Sequence, residues 1–83
     1  MARLAKETPV GVLGAGAMGG GIAQVAARAG HPVVLADTSE AQLVKARDDF
    51  ARALARDVEK GRLTSEQSSA IADRVAHVVR GPE

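Results

Sequence analysis

The sequence predicts an α/β fold, a parallel sheet entered through a βαβ unit, and three observations predict it. A short β-branched run ends at a glycine-rich turn, and that turn opens an alanine-rich stretch with helical spacing. A second β-branched run then follows and ends on an acid, Asp37. Eighty-three residues make one small domain, which buries only about 60% of the surface its unfolded chain exposes.

The elements follow in order. Residues 1–7 form a short polar leader that is expected to fray. Val10, Val12 and Leu13, entered from Pro9, read as a buried strand, since proline is tolerated at a strand's start and the run stops at glycine. Gly14-Ala15-Gly16-Ala17-Met18-Gly19 opens a helix in which Ile22, Val25 or Ala26, and Ala29 recur at helical spacing until Gly30 ends it. After His31-Pro32, the continuous apolar run Val33-Val34-Leu35-Ala36 reads as a strand covered on both faces of a parallel sheet. Ser39 and Gln42 have capping-box spacing, and Leu43, Ala46, Phe50, Leu54 and Val58 form one stripe along a helix of about five turns that ends at Gly61. Thr64 and Gln67 repeat the spacing before a shorter helix carried by Ala70, Ile71, Arg74 and Val75. Residues 75–79 read either as the end of that helix or as a short third strand.

Composition narrows the function. Eleven Lys+Arg balance ten Asp+Glu to a net charge of +1, with the basic residues scattered, so no nucleic-acid partner is expected. Cysteine is absent, which excludes disulfides, thiolate metal sites and thiol catalysis, and no metal chemistry is expected. The longest apolar stretch is broken by glycines, Gln24 and Arg28, so a membrane span does not fit and a cytoplasmic compartment is expected.

The glycines carry the chemistry. A dinucleotide's pyrophosphate is held most simply by a helix N-terminus, whose free N–H groups and partial positive charge face the phosphate oxygens. In the pattern GxGxxG, Gly14 permits the tight turn, Gly16 admits the pyrophosphate to the backbone, and Gly19 lets the helix pack closely; Ala17, Met18 and Gly19 offer amides. Asp37, eighteen residues beyond Gly19 at the end of the next strand, can accept hydrogen bonds from the adenosine ribose hydroxyls. Its charge repels a 2′-phosphate and no arginine occupies residues 38–42, which favours NAD over NADP. The competing reading is a glycine-rich helix start with Asp37 merely capping the next helix. Gly20 and Gly21 each cost the helix roughly 1 kcal/mol relative to alanine. A close approach of helix, strand and cofactor is expected to compensate, so Gly21→Leu should abolish folding or NAD binding. The fold implied is part of a Rossmann-type doubly wound sheet, β-α-β-α-α with a possible third strand and strand order 3-2-1.

The segment VGVLGAGAMGGGIAQVAARAGHPVVLADTSEAQL, followed by LARDVEKGRLTSEQ, resembles the amino-terminal NAD-binding part of the 3-hydroxyacyl-CoA dehydrogenase family, from about Pro9 to Val79. GxGxMGxGIAQ is more specific than the general dinucleotide motif, although Gly20 is more often alanine in that family. The resemblance implies oxidation of an acyl-CoA 3-hydroxyl to a ketone with hydride passed to NAD. It also implies that the whole of residues 1–83 is an amino-terminal portion of such an NAD-binding domain. The family's catalytic histidine and its glutamate, serine and asparagine helpers lie farther along than this chain extends, so no catalytic residue is assigned. His31 and His77 are expected to be structural or solvated. The family's CoA-contacting serine and lysine fall on Ala53 and Lys60, so only Lys60 is retained as a candidate for acyl-CoA; the bland reading is a solvated charge at a helix end. Two alternatives stand beside this one: a nucleotide-binding module without chemistry, and a fragment of a β-hydroxyacid dehydrogenase. With one edge of its first strand unpaired, the chain is expected to form a homo-oligomer.

Overall fold

The computed structural model describes residues 8–80, so the leader at 1–7 lies outside the described residues. The elements run β1 (Val10–Leu13), α1 (Ala17–Arg28), β2 (Val33–Asp37), α2 (Glu40–Glu59), α3 (Ser65–Asp73) and β3 (Val75–Val79). The strands form one parallel sheet in the order β1-β2-β3. Val10 is opposite Val33, and Val33 is opposite Val75 in turn. This is the expected 3-2-1 order, and residues 75–79 are a strand rather than a helix end. The switch happens at Arg74: its N–H still donates to Ile71 O at 3.1 Å, but its carbonyl accepts from Val33 N–H at 2.7 Å. From that residue on, the backbone bonds are made to β2.

The side chains that face the helices build one core. Val12, Val33, Leu35 and Val75 on the strands meet Ala23 and Ala27 of α1, Leu43, Phe50 and Leu54 of α2, and Ile71 of α3. All three helices touch one another, which places them in one layer on a single face of the sheet. Two successive right-handed crossovers moving in the same direction across a sheet produce this result. Coverage of β2 on both faces is therefore corrected: alternate residues Gly11, Leu13, Val34, Ala36 and Val78 line the other face, where Val34 is exposed. A continuous apolar run arose because Val34 is β-branched whichever way it points.

The face of α1 also differs from the expected stripe. Ala23 and Ala27 are buried with Ala26 packed beside them, whereas Met18, Ile22 and Val25 project outward. Small side chains let the α1 backbone sit close to the strands, and that geometry, rather than side-chain size, selects the buried face. The stripe on α2 is as read, with Leu43, Phe50 and Leu54 buried. Helix ends obey their signals. Thr64 and Gln67 form a complete capping box, at 3.0 and 2.9 Å. At α2 only half of one forms: Ser39 Oγ accepts from Gln42 N–H at 3.2 Å, while Ser39 N–H donates to Asp37 Oδ1 at 2.8 Å instead. A carboxylate two residues upstream is a stronger acceptor than the Gln42 amide.

Candidate functional site

The site is assembled at the carboxyl ends of the strands. The β1–β2 ladder persists into the turn, where Gly14 N–H donates to Ala36 O at 2.8 Å. The chain then reverses through φ +93° at Gly14, a conformation that L side chains rarely adopt. The third glycine is required by a contact: a Cβ at Gly19 would lie 1.7 Å from Gly14 O and 2.9 Å from Gly14 C. The first turn of α1 rests directly on the backbone of the turn that precedes it.

The N-terminus of α1 is left open. Its N-cap is Gly16, with no side-chain cap and no acidic residue in the first turn, whereas α2 and α3 have Ser39 with Glu40 and Thr64 with Glu66. Gly20 N–H makes an early intrahelical bond, to Gly16 O at 2.8 Å, so the amides of Ala17, Met18 and Gly19 precede the helical ladder. A Cβ at Gly16 would meet nothing within 4 Å, so the surface above it is clear for a ligand. Free amides, the positive end of the helix dipole and a first turn without an acidic residue fit a bound diphosphate.

Asp37 stands beside this loop, and its carboxylate fastens it. Oδ2 accepts from Ala15 N–H at 2.7 Å and Oδ1 from Ser39 N–H at 2.8 Å. These amides, Ala15 foremost and then Ser39, hold the carboxyl below its usual value of 3.8, against a smaller opposing effect of desolvation. Asp37 is thus anionic at neutral pH. Each oxygen has two acceptor sites and uses one for these bonds, leaving capacity for a pair of ribose hydroxyls. The link to Ala15 is absent from any local sequence signal, because it joins residues 22 apart.

Gly14, Gly16, Ala17, Met18, Gly19 and Asp37 therefore converge on one place. Lys60 does not. It is the C-cap of α2, at the far end of a 20-residue helix that begins beside Asp37, about 30 Å away along the axis. The expected close approach of helix and strand at Gly20 and Gly21 is corrected. Gly20 would place a Cβ at an ordinary 3.6 Å from Ala46 Cβ, and Gly21 faces open space. His31 Nδ1 lies 3.1 Å from Thr8 O, tying the turn before β2 to the start of β1. His77 is half-buried on β3, where desolvation and, secondarily, Arg47 lower its pKa from 6.5. Arg80 is the residue that sequence reasoning missed. It follows β3, its N–H donates to Asp37 O at 2.9 Å, and it lines a groove with Asp37 and Thr38. Strand order alone could have found it, since the residue after the third strand must neighbour the acid that ends the second.

Among the described residues, no cluster of three or more His, Cys, Asp or Glu could hold a metal ion, and no helix is long and apolar enough to cross a membrane.

An uncapped helix start next to a carboxylate at adjacent strand ends is the arrangement of a dinucleotide-binding domain of the Rossmann type. Residues 9–80 match the family model for the 3-hydroxyacyl-CoA dehydrogenase NAD binding domain, and the chain belongs to that family, with NAD as its cofactor. It is 43% identical over 58 residues to a 3-hydroxybutyryl-CoA dehydrogenase of Mycobacterium tuberculosis, a match covering 70% of this chain and 20% of that protein. It is 47% identical over 57 residues to the 3-hydroxyadipyl-CoA dehydrogenase of Escherichia coli K12, covering 69% of this chain and 12% of the relative. The crystal structure of 3-hydroxybutyryl-CoA dehydrogenase from Escherichia coli K12 superposes with a TM-score of 0.82 at 39% identity, covering 93% of this chain and 16% of that one. The chain thus spans about a fifth or less of the length of these relatives.

Proposed function

We propose that this chain forms the cofactor-binding part of an enzyme that oxidises a 3-hydroxyacyl-CoA to the 3-oxoacyl-CoA. NAD supplies the hydride acceptor when bound. The chain's own residues bind and orient it: the amides of Ala17, Met18 and Gly19 hold the diphosphate, Gly14 and Gly16 let it approach, and Asp37 takes the adenosine ribose hydroxyls. The observation that carries this reading is the uncapped N-terminus of α1 with the Asp37 carboxylate bonded to the loop in front of it. Because that carboxylate is anionic, a 2′-phosphate meets repulsion there, and NAD is preferred over NADP.

No residue of this chain is assigned to proton abstraction. Acyl-CoA as the substrate class is supported by the relatives, which are named for 3-hydroxybutyryl-CoA and 3-hydroxyadipyl-CoA; on our reading the reaction belongs to fatty acid metabolism in the cytoplasm. Lys60, exposed and distant from Asp37, would pair with a phosphate of the long CoA moiety rather than with NAD. A homo-oligomer is supported by the unpaired edge of β1 and the outward apolar side chains Met18, Ile22 and Val25.

Calorimetric titration of the 83-residue chain tests the reading. NAD is expected to bind, NADP to bind at least tenfold more weakly, and Asp37→Asn to narrow that gap. Absence of NAD binding by a folded chain would overturn it.

A further inference from the structure

The three strand ends present three different chemistries in sheet order. β1 leads into the α1 amides, β2 ends at Asp37, and β3 is followed by Arg80. Neighbouring strands lie about 4.8 Å apart, so the line from the first to the third is about 10 Å long. A nucleotide laid along it with its diphosphate on α1 and its ribose on Asp37 carries its base to the end of β3. A groove of about 510 Å³ is found there, lined by Leu13, Gly14, Ala36, Asp37, Thr38 and Arg80.

That groove has an apolar floor and one cationic wall. Leu13, one of its apolar lining residues, is 82% exposed, more than any other large apolar side chain described. Arg80 has no carboxylate partner within ion-pair distance among the described residues. Both Asp37 oxygens already accept backbone bonds, and the influences on that carboxyl do not include Arg80, so the guanidinium is not drawn into a fork with it. An apolar floor beneath a planar cation suits a flat heteroaromatic ring. The chain has no Trp or Tyr, its single Phe, Phe50, is 5% exposed within the core, and neither histidine lines the groove, so the guanidinium is the planar group on its wall.

We propose that Arg80 is the adenine-facing residue of the cofactor site, its guanidinium plane stacking on the purine over a floor of Leu13 and Ala36. This deepens the dinucleotide reading and rests on it. A 2′-phosphate is the less favourable use of the cation, because such a group would sit against the anionic Asp37. The position of Arg80 depends on its main-chain bond to Asp37 O, which a side-chain substitution leaves in place.

The test is titration of NAD, NADP, ADP-ribose and nicotinamide mononucleotide into the wild-type chain and into Arg80→Ala and Arg80→Lys, with thermal unfolding measured alongside. Arg80→Ala is expected to weaken NAD and ADP-ribose about tenfold, or about 1.4 kcal/mol, a size consistent with one base stacked on arginine. Nicotinamide mononucleotide should be unaffected, and the unfolding temperature unchanged. Arg80→Lys keeps the charge without the plane, so it should recover only a minor part of the loss. Full recovery in Arg80→Lys, or a loss confined to NADP, would make Arg80 a phosphate contact and overturn the stacking role. Wild-type NAD affinity in a folded Arg80→Ala would overturn the inference and leave the dinucleotide reading intact. Failure of the wild-type chain to bind NAD or ADP-ribose would overturn both.

Discussion

Single atoms decide most of what happens around the glycine turn. Gly19→Ala forces a methyl into the Gly14 carbonyl, which must shift, and a loss of about 1–3 kcal/mol in urea unfolding is expected together with weakened NAD binding. Gly21→Ala meets no neighbour and removes backbone entropy from the unfolded chain, so it should gain about 0.5–1 kcal/mol. Two glycines that look alike in the sequence thus have opposite expected signs, because only one touches a backbone carbonyl. Asp37 supplies a pH dependence. Its folded pKa is lowered, so the unfolded chain takes up the proton first as the medium is acidified. The stabilisation is fully present above pH 3.8 and is lost as pH falls through the folded value below it. Thermal unfolding followed from pH 6 down to pH 2.5 should show that decline, and Asp37→Asn should flatten part of it. Asp49, beside Lys45 and Arg52, and Asp57, beside Arg28, are lowered in the same direction and account for the remainder.

At the scale of elements, the joints between helices hold the layer in place. Arg74 Nη1 donates to Ala27 O at 2.8 Å, so the cap of α3 satisfies a carbonyl in the last turn of α1. Arg28 from that same turn pairs with Asp57 of α2 at 2.7 Å. Arg74→Ala is expected to cost about 1.5 kcal/mol in urea unfolding, because one charge-assisted bond is lost while Ala27 O keeps Gly30 N–H at 3.1 Å. Most of this architecture was legible. The capping box at Thr64, the α2 stripe and the stop at Gly30 followed from local rules that tertiary packing did not oppose, and the strand order followed from the fold class. Two elements were misread for one reason: periodicity reports that residues are apolar, not which side faces the core. On α1 the alanines were buried and the larger residues left out; on β2 both faces looked alike. Within the site, the residues bound by spacing were legible and those bound by long-range pairing were not. Gly14, Gly16, Gly19 and Asp37 follow a fixed pattern, whereas the Ala15–Asp37 bond exists only once the sheet is formed, and Arg80 could be placed only once residues 75–79 were known to be a strand.

For the molecule as a whole, the uneven distribution of apolar surface matters most. One face of the sheet carries three helices, the other shows Leu13, Val34 and Val78, and the free edge of β1 runs beside Met18, Ile22 and Val25. Val10 N–H and Gly14 N–H point to β2, so by the alternation of a strand the amides of Gly11 and Leu13 face outward without a partner in the sheet. Light scattering of the 83-residue chain should show concentration-dependent association, and Ile22→Glu with Val25→Lys should reduce it while leaving the buried alanines undisturbed. A monomer at all concentrations would contradict the expected oligomer. The strand sequence β1-β2-β3 has a kinetic consequence as well. Each strand pairs with the one made just before or after it, so no closure spans more than one helical crossover, and assembly can advance stepwise along the chain without a distant segment first being captured.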